Sequence, residues 1–176
     1  AHAVAMLSQG QMSRALDLIT TERREIVLDI VRRLNDREDP LLLGAEFHKF
    51  LQGRSEEIRR AIAADYAARR DDPAFEDAKT KDDLEEEIDA TTAGRLRLEY
   101  MEYLYLLKTW YRDVYVYRVT GGFDHVLNAD RAEQLAAERS ENFRKRLEAV
   151  EKAWVYIERN IRMDRVLRDL FIELAA

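Results

Sequence analysis

The chain has 176 residues and a formal net charge of −6, from 29 Lys and Arg and 35 Asp and Glu. It contains no cysteine, which excludes disulfide bonds and thiolate chemistry and fits a reducing cytoplasm. No apolar run approaches the roughly 18 residues that would span a membrane. Six glycines and two prolines are few, and Ala, Leu, Glu and Arg are abundant, so we expect an all-α cytoplasmic protein.

Apolar residues recur with a helical period along the chain. Residues 11–20 are predicted to form a short helix, after which Thr21 caps a second helix. The apolar face of that second helix consists of Ile26, Val27, Ile30, Val31 and Leu34. Asp39-Pro40 predicts the start of a third helix that stops near Gly53, and Ser55 predicts the start of a fourth.

The longest predicted helix begins near Thr80 and ends at Thr120. Gly94 marks a candidate break within it, and Gly121-Gly122 supplies the left-handed conformation that ends it. Apolar residues alternate four and three apart along this helix and predict a seam that packs against another helix. The seam residues are Leu96, Tyr100, Tyr103, Leu107, Trp110, Val114 and Tyr117.

Three shorter helices are predicted to follow. Asn128 or Asp130 starts the first, and Ser140 caps the second. The second helix should bury Phe143, Leu147, Val150, Trp154 and Ile157. The last helix should bury Val166, Leu167, Leu170, Phe171 and Leu174.

Negative charge is concentrated in residues 71–90, which contain ten acidic residues and only two basic ones, Lys79 and Lys81. The net charge of this segment is −8. The rest of the chain therefore carries +2. Such a block repels nucleic acid and stays hydrated. We interpret it as a solvated loop and helix start, and a decoy for DNA or a strip that docks a partner is the alternative.

The sequence carries no pattern for catalysis. A phosphate-binding P-loop needs a Gly followed by Lys, and none of the six glycines has one. A di-iron bundle needs Glu-x-x-His pairs, and no Glu stands three residues before His2, His48 or His125. We therefore predict no catalytic residue, no metal and no cofactor, and a protein that is not an enzyme.

A series of four short motifs resembles the C-terminal part of bacterial clamp-loader subunits, above all the delta-prime-like subunits of DNA polymerase III. The motifs are Trp110-Tyr111-Arg112-Asp113, Gly121-Gly122, Leu127-Asn128-Ala129-Asp130 and Glu158-Arg159-Asn160-Ile161. In that family, the last of them opens the final helix. The resemblance covers residues 1–51 and 98–176 and is weak between them.

The resemblance implies two domains. Residues 1–20 would be the tail of an AAA+ lid domain, and residues 21–176 a helical collar domain with an acidic insertion around 71–90. We accordingly expect the chain to be the C-terminal part of a longer protein.

The N-terminal motif Gly10-Gln11-Met12-Ser13-Arg14-Ala15-Leu16 is similar to a helix start in the lid of clamp-loader ATPases. In those proteins, an Arg at the position of Ser13 reaches the phosphates of bound ATP. A hydroxyl cannot replace the charged, forked donors of Arg. The resemblance therefore implies an ATPase-silent subunit of the delta-prime kind.

The implied function is a non-catalytic assembly module that mediates subunit oligomerisation for sliding-clamp loading in DNA replication. Its partners would be the ATPase subunit and a delta-like subunit, with DNA contacted only indirectly, no membrane contact and weak self-association. The alternative is a stand-alone helical domain that binds nucleic acid. Arginine pairs such as Arg23-Arg24 and Arg32-Arg33 favour it, although nearby acids also predict ordinary surface ion pairs.

Four residues are candidates for the subunit interface. The helix over residues 96–117 and the last helix carry more apolar surface than one packing partner requires. Association buries such surface. The candidates are Tyr105, Tyr111, Tyr115 and Phe171.

Overall fold

The structure, a computed structural model, describes residues 2–69, 81–138 and 142–176. These residues form eight α-helices and no strand, which confirms the predicted all-α fold. The helices are α1 (His2–Leu7), α2 (Met12–Thr20), α3 (Arg23–Asn35), α4 (Pro40–Arg69), α5 (Lys81–Thr120), α6 (Ala132–Ala137), α7 (Phe143–Glu158) and α8 (Met163–Ala175). A 3₁₀ turn, Ala129–Arg131, precedes α6.

The chain divides into two compact units. The main unit comprises Ala1–Ala45 and Glu102–Ala176, and the hairpin unit comprises Glu46–Met101. The bounds of α4 and α5 run across this division. The division between a lid tail and a collar at residue 20 rests on the resemblance, and it stays a prediction.

The core of the main unit is built on α8, against which α3 and α7 pack. The five apolar residues predicted to face inward from α8 are all buried. Gly44 of α4 lies so close to this helix that a side-chain carbon there would sit 3.5 Å from Phe171. The second part of α5 contributes the largest buried side chains, among them Tyr103, Trp110 and Tyr111.

The hairpin unit consists of the second part of α4 and the first part of α5. Ion pairs join Arg54 to Glu99 at 3.7 Å and Arg59 to Asp89 at 2.9 Å, so the two segments run antiparallel. Burial raises the pKa of Tyr100 to about 12. Among the described residues of this unit, the buried apolar side chains are Phe47, Leu51, Ile88 and Tyr100.

Two predicted helix breaks are wrong. Helix α4 continues through Gly53 and Ser55, and α5 continues through Gly94. A glycine costs only about 1 kcal/mol relative to Ala inside a helix, which packing on either side offsets. Leu51 and Ile58, seven residues apart, lie on one face of α4 on either side of Gly53.

The helix ends follow the predicted chemistry in part. Asp39 caps α4, because its carboxylate accepts a hydrogen bond from the Leu41 N–H at 2.8 Å. Gly121 has a φ of 70° and ends α5 as predicted. Thr21 does not cap α3, since its hydroxyl donates to the Asp17 carbonyl at the end of α2.

Two predictions fall wholly or partly outside the described residues. Ser140, the predicted cap of α7, is not among them. Residues 71–80 of the acidic block also lie outside, whereas Asp82 and Asp83 lie in the first turn of α5. Acids in the first turn interact favourably with the positive end of a helix.

Candidate functional site

The motifs at residues 110–113 and 127–130 meet in a buried network around Asp113. We call it the Asp113 network. The Asp113 side chain is completely buried and lies 2.7 Å from the Arg112 guanidinium. Its other oxygen accepts two hydrogen bonds from Asn128, one from the backbone N–H and one from the side-chain amide, both at 2.7 Å. The Asn128 side chain therefore fixes the chain after α5 instead of capping the 3₁₀ turn.

Arg24 of α3 extends this network. Its guanidinium donates to the Asn128 side-chain oxygen at 3.0 Å and to both carboxylate oxygens of Asp130, at 2.6 and 2.7 Å. The hydrogen bonds from Arg24 hold the pKa of Asp130 below its ordinary value. The motif residues thus tie α3, α5 and the 3₁₀ turn together.

A second network, the Glu138 network, surrounds a carboxylate that the sequence analysis did not identify. Glu138 follows α6 and is fully buried. One carboxylate oxygen accepts hydrogen bonds from the Asn35 amide at 2.9 Å and the Trp110 indole N–H at 3.3 Å. The other lies 3.2 Å from the Arg146 guanidinium. A buried carboxylate needs such donors, because an unpaired buried charge is costly.

Tyr111 lies beside this network. The Arg146 guanidinium stacks over its ring at 5.3 Å from the centroid, and burial raises the pKa of its phenol. The Arg118 side chain also donates to the Glu138 carbonyl. Arg146 of α7 was not identified from the sequence, because its burial depends on its pairing with Glu138.

The final motif ends α7 rather than opening the last helix. Glu158 is the last residue of α7, and Asn160 adopts a φ of 57° in the turn before α8. Glu158 accepts a hydrogen bond from the Trp154 indole at 3.0 Å. Trp154, Leu147 and Phe143 are only partly buried, whereas Val150 and Ile157 lie in the core as predicted.

The four candidate interface residues fall into two classes. Tyr111 and Phe171 are fully buried inside the main unit, so their side chains are not on its surface. Tyr105 is partly buried and donates to the Leu7 carbonyl at 2.7 Å. Tyr115 is half exposed, and Val119, one turn later on the same face of α5, is exposed as well.

The lid-like motif is integrated into the main unit. Ser13 is exposed, and Arg14 points toward α5, where it pairs with Glu102 at 2.7 Å and stacks over the Tyr105 ring at 4.3 Å. Arg14 therefore anchors α2 on α5.

A groove of about 780 Å³ lies between α5 and α7 in the main unit. Its α5 wall includes Tyr105, Lys108 and Arg112, and its α7 wall includes Leu147, Glu151, Trp154 and Val155. Lys108 and Glu151 pair across it at 3.0 Å. We call it the α5–α7 groove.

Helix α2 carries an exposed apolar face that the sequence analysis did not single out. Met12, Leu16 and Ile19 are 76%, 55% and 69% exposed, and no residue of α2 is buried. Their spacing of four and three residues places them along one side of the helix. We call this face the α2 stripe. The spacing of these residues was visible in the sequence. Their exposure was not, because it follows from the contact of Arg14, on another side of α2, with α5.

Within residues 2–69, 81–138 and 142–176, no cluster of three or more His, Cys, Asp or Glu side chains is arranged to hold a metal ion. No helix in the same ranges is both long and apolar enough to cross a membrane. Several arginines pair with acids, as Arg32 does with Asp29 and Arg60 with Glu56. Such pairing reduces the basic surface that nucleic-acid binding requires.

Comparisons with protein-family models, curated proteins and solved structures give no significant match. The resemblance to clamp-loader subunits therefore rests on the quoted motifs alone. What it implies about domains, function and partners stays a prediction.

Proposed function

We propose that this chain is a non-catalytic assembly module of a clamp loader, of the delta-prime kind, that holds its subunit in the complex by helix packing. The observation that carries the proposal is the burial of the motif residues. Trp110, Asp113 and Asn128 are each at most 5% exposed, and their polar atoms bond to other parts of the same chain. Residues used in this way support a scaffold.

The networks fix the part of α5 that belongs to the main unit. Hydrogen bonds to the carboxylates of Asp113 and Glu138 join this part of α5 to α3, to Asn128 before the 3₁₀ turn and to α7. Such bonds are stronger and more directional than neutral ones. A helix that is already ordered can present exposed apolar residues to another subunit at a lower entropic cost than a segment that must fold on binding.

The exposed pair Tyr115 and Val119 is the surface that we assign to the neighbouring subunit. Tyr115 is 49% exposed and Val119 66% exposed, and both lie one turn apart near the C-terminal end of α5. Tyrosine is enriched among interface residues that dominate affinity, because it combines a large apolar ring with a polar end. Of the four residues proposed from the sequence, Tyr115 has the most exposed side chain.

The test is a pull-down of purified clamp-loader ATPase and delta-like subunits on this chain. We expect the ATPase subunit to be retained, and the double variant Tyr115→Glu/Val119→Glu to weaken retention by at least about tenfold. The single variant Tyr115→Glu should also weaken retention, and Leu98→Glu is its matched control, since it adds one glutamate at an exposed apolar position of α5 in the hairpin unit. It should leave retention unchanged.

Three results would count against the proposal. Failure of the unaltered chain to retain either subunit would contradict the assembly function. An equal loss of retention in the Leu98→Glu control would show that Tyr115 and Val119 are not the specific interface. Salt-dependent binding of DNA by the chain alone, without subunit binding, would support the nucleic-acid-binding alternative instead.

A further inference from the structure

We propose that α2 opens from α5 while the rest of the main unit stays folded, and that the contacts of Arg14 keep it closed. We call the helix in this role the α2 flap. The inference does not depend on the resemblance to clamp-loader subunits. It rests on the way in which α2 is held: no residue of this helix is buried, whereas α3 and α8 of the same unit each bury five.

Hydrophobic burial contributes little to the docking of α2. The α2 stripe is exposed to solvent along its length. Another side of the helix carries Arg14, Ala15 and Leu18, and each of these is only partly buried. A segment with few buried apolar contacts opens at a lower free energy than the core of its domain. The docking of α2 therefore depends on its polar contacts.

The polar contacts between α2 and α5 are made by Arg14. Its guanidinium donates to the Glu102 carboxylate at 2.7 Å and stacks over the Tyr105 ring at 4.3 Å from the centroid. The Arg14 and Glu102 side chains are 20% and 29% exposed, so water weakens their attraction. At the other end of the helix, Asp17 pairs with Arg23 of α3 at 3.2 Å. Both ion pairs are open to solvent on one side, and neither fixes α2 as a buried core does.

Helix α1 has a separate attachment to the main unit. Leu7 and Ser8 at its end are 0% and 2% exposed, and the Tyr105 hydroxyl donates to the Leu7 carbonyl at 2.7 Å. Between this attachment and α2, Gln9 and Gly10 have φ values of 50° and 79°. Torsions in such a turn can change without breaking the hydrogen bonds of either helix. The turn therefore provides a hinge at which α2 leaves α5 while α1 stays attached.

Opening of the α2 flap also unfolds the helix, because nine residues form a helix that is marginal in water without packing. Its backbone N–H groups then exchange with solvent. The same movement uncovers the ring of Tyr105, which is a candidate interface residue and part of the α5 wall of the α5–α7 groove. The α2 flap therefore controls access to this ring.

Hydrogen–deuterium exchange of the full chain, read by mass spectrometry of its peptides, tests this inference. In the unaltered chain, the backbone of α2 should exchange at least about 100-fold faster than that of α8, after correction for intrinsic rates. Arg14→Ala should accelerate the exchange of α2 by a further factor of about ten, because it removes an ion pair and a cation–π contact. The exchange of α3 and α8 should not change.

A second variant removes the same contact from α5. Glu102→Gln keeps the size of the side chain and removes its charge, so it should also accelerate the exchange of α2. The double variant should exchange no faster than Arg14→Ala, because both changes break one interaction. Salt screens partly exposed charges, so raising NaCl from about 0.05 to 1 M should accelerate α2 exchange in the unaltered chain.

The matched control is Arg32→Ala. This change removes another arginine of the main unit, which pairs with Asp29 and Asp36 on its own side of the chain and does not contact α2. The exchange of α2 should be unchanged in this variant. Thermal unfolding of each variant shows whether the main unit is intact.

Exchange of α2 as slow as that of α8 would overturn the inference, since α2 would then open only with the whole unit. Equal acceleration of α2, α3 and α8 in Arg14→Ala would also overturn it, because the contact would then stabilise the entire main unit. The assignment to Arg14 would be wrong if neither Arg14→Ala nor Glu102→Gln accelerated the exchange of α2, if salt had no effect on it, or if Arg32→Ala accelerated it equally.

Discussion

Charged side chains have different roles in the main unit and in the hairpin unit. In the main unit, the carboxylates of Asp113 and Glu138 are fully buried and accept hydrogen bonds from several donors. In the hairpin unit, the pair formed by Arg59 and Asp89 is 51% and 64% exposed. Glu99, with Arg54 at 3.7 Å, is a buried carboxylate of the hairpin unit.

The difference indicates how strongly each unit is specified. Removing a partner of a buried, bonded carboxylate leaves the remaining groups unpaired and costs several kcal/mol, about 3–5 where an ion pair is broken. An exposed ion pair contributes only about 0–1 kcal/mol. We therefore expect the main unit to tolerate few changes at the Asp113 and Glu138 networks, and the hairpin unit to tolerate changes at its exposed Arg59–Asp89 pair.

The largest effect should follow from Trp110→Ala in the main unit. Trp110 is 2% exposed, and its indole N–H donates to Glu138. Truncation of a large buried aromatic costs about 3–5 kcal/mol of unfolding free energy. Urea unfolding of the variant and of the unaltered chain would measure this loss. Trp154→Ala is the matched control and should cost less than about 2 kcal/mol, because Trp154 is only partly buried. Equal losses would show that Trp110 is not a core residue.

A smaller effect should follow from Asp113→Ala. The change leaves the Asn128 backbone N–H without its acceptor, and a buried unpaired donor costs about 1–3 kcal/mol. Asp130→Ala removes a carboxylate from the same network. Because the Asp130 side chain is 45% exposed, this change should cost less than about 1 kcal/mol of unfolding free energy. A larger loss of unfolding free energy in Asp130→Ala than in Asp113→Ala would show that the exposed pair with Arg24 stabilises the fold more than the buried hydrogen bonds do.

The loss of unfolding free energy caused by Asp130→Ala should disappear in acid. Arg24 holds the folded-state pKa of Asp130 below its ordinary value, so its contribution is present above the unfolded pKa of about 3.9. That contribution is lost as the pH falls through the folded pKa. The two proteins should therefore differ in unfolding free energy at neutral pH and converge below about pH 4. A difference that persists in strong acid would point to lost packing instead of lost charge.

Local patterns in the sequence predicted much of the fold. The apolar face of α8, the seam of α5 and the Asp39 cap follow from periodicity and short-range hydrogen bonding, which act over a few residues. Gly53 and Gly94 were misjudged because a propensity of about 1 kcal/mol is easily outweighed by packing. The buried pair of Glu138 and Arg146 depends on how α6 and α7 meet, and no local pattern reports this.

The candidate surfaces show the same limit. Tyr111 and Tyr115 lie four residues apart on α5, yet Tyr111 is fully buried and Tyr115 half exposed. Their order of burial is set by α7, whose Arg146 covers the ring of Tyr111. The α2 stripe has a clear period in the sequence, but a periodic apolar face normally predicts a buried one. Only the position of Arg14 shows that it points outward.

The smallest effect is expected at the ion pair between Arg59 and Asp89 in the hairpin unit, which joins α4 to α5 at 2.9 Å. The energy of coupling is obtained from the single variants Arg59→Ala and Asp89→Ala and the double variant, each measured by urea unfolding. Because both side chains are more than half exposed, water and salt screen their attraction, and the coupling should be about 0.2–1 kcal/mol. It should decrease further as salt is added. A coupling above about 2 kcal/mol, unaffected by salt, would mean that charge holds the hairpin unit as firmly as it holds the main unit, and the contrast between the two units would then be wrong.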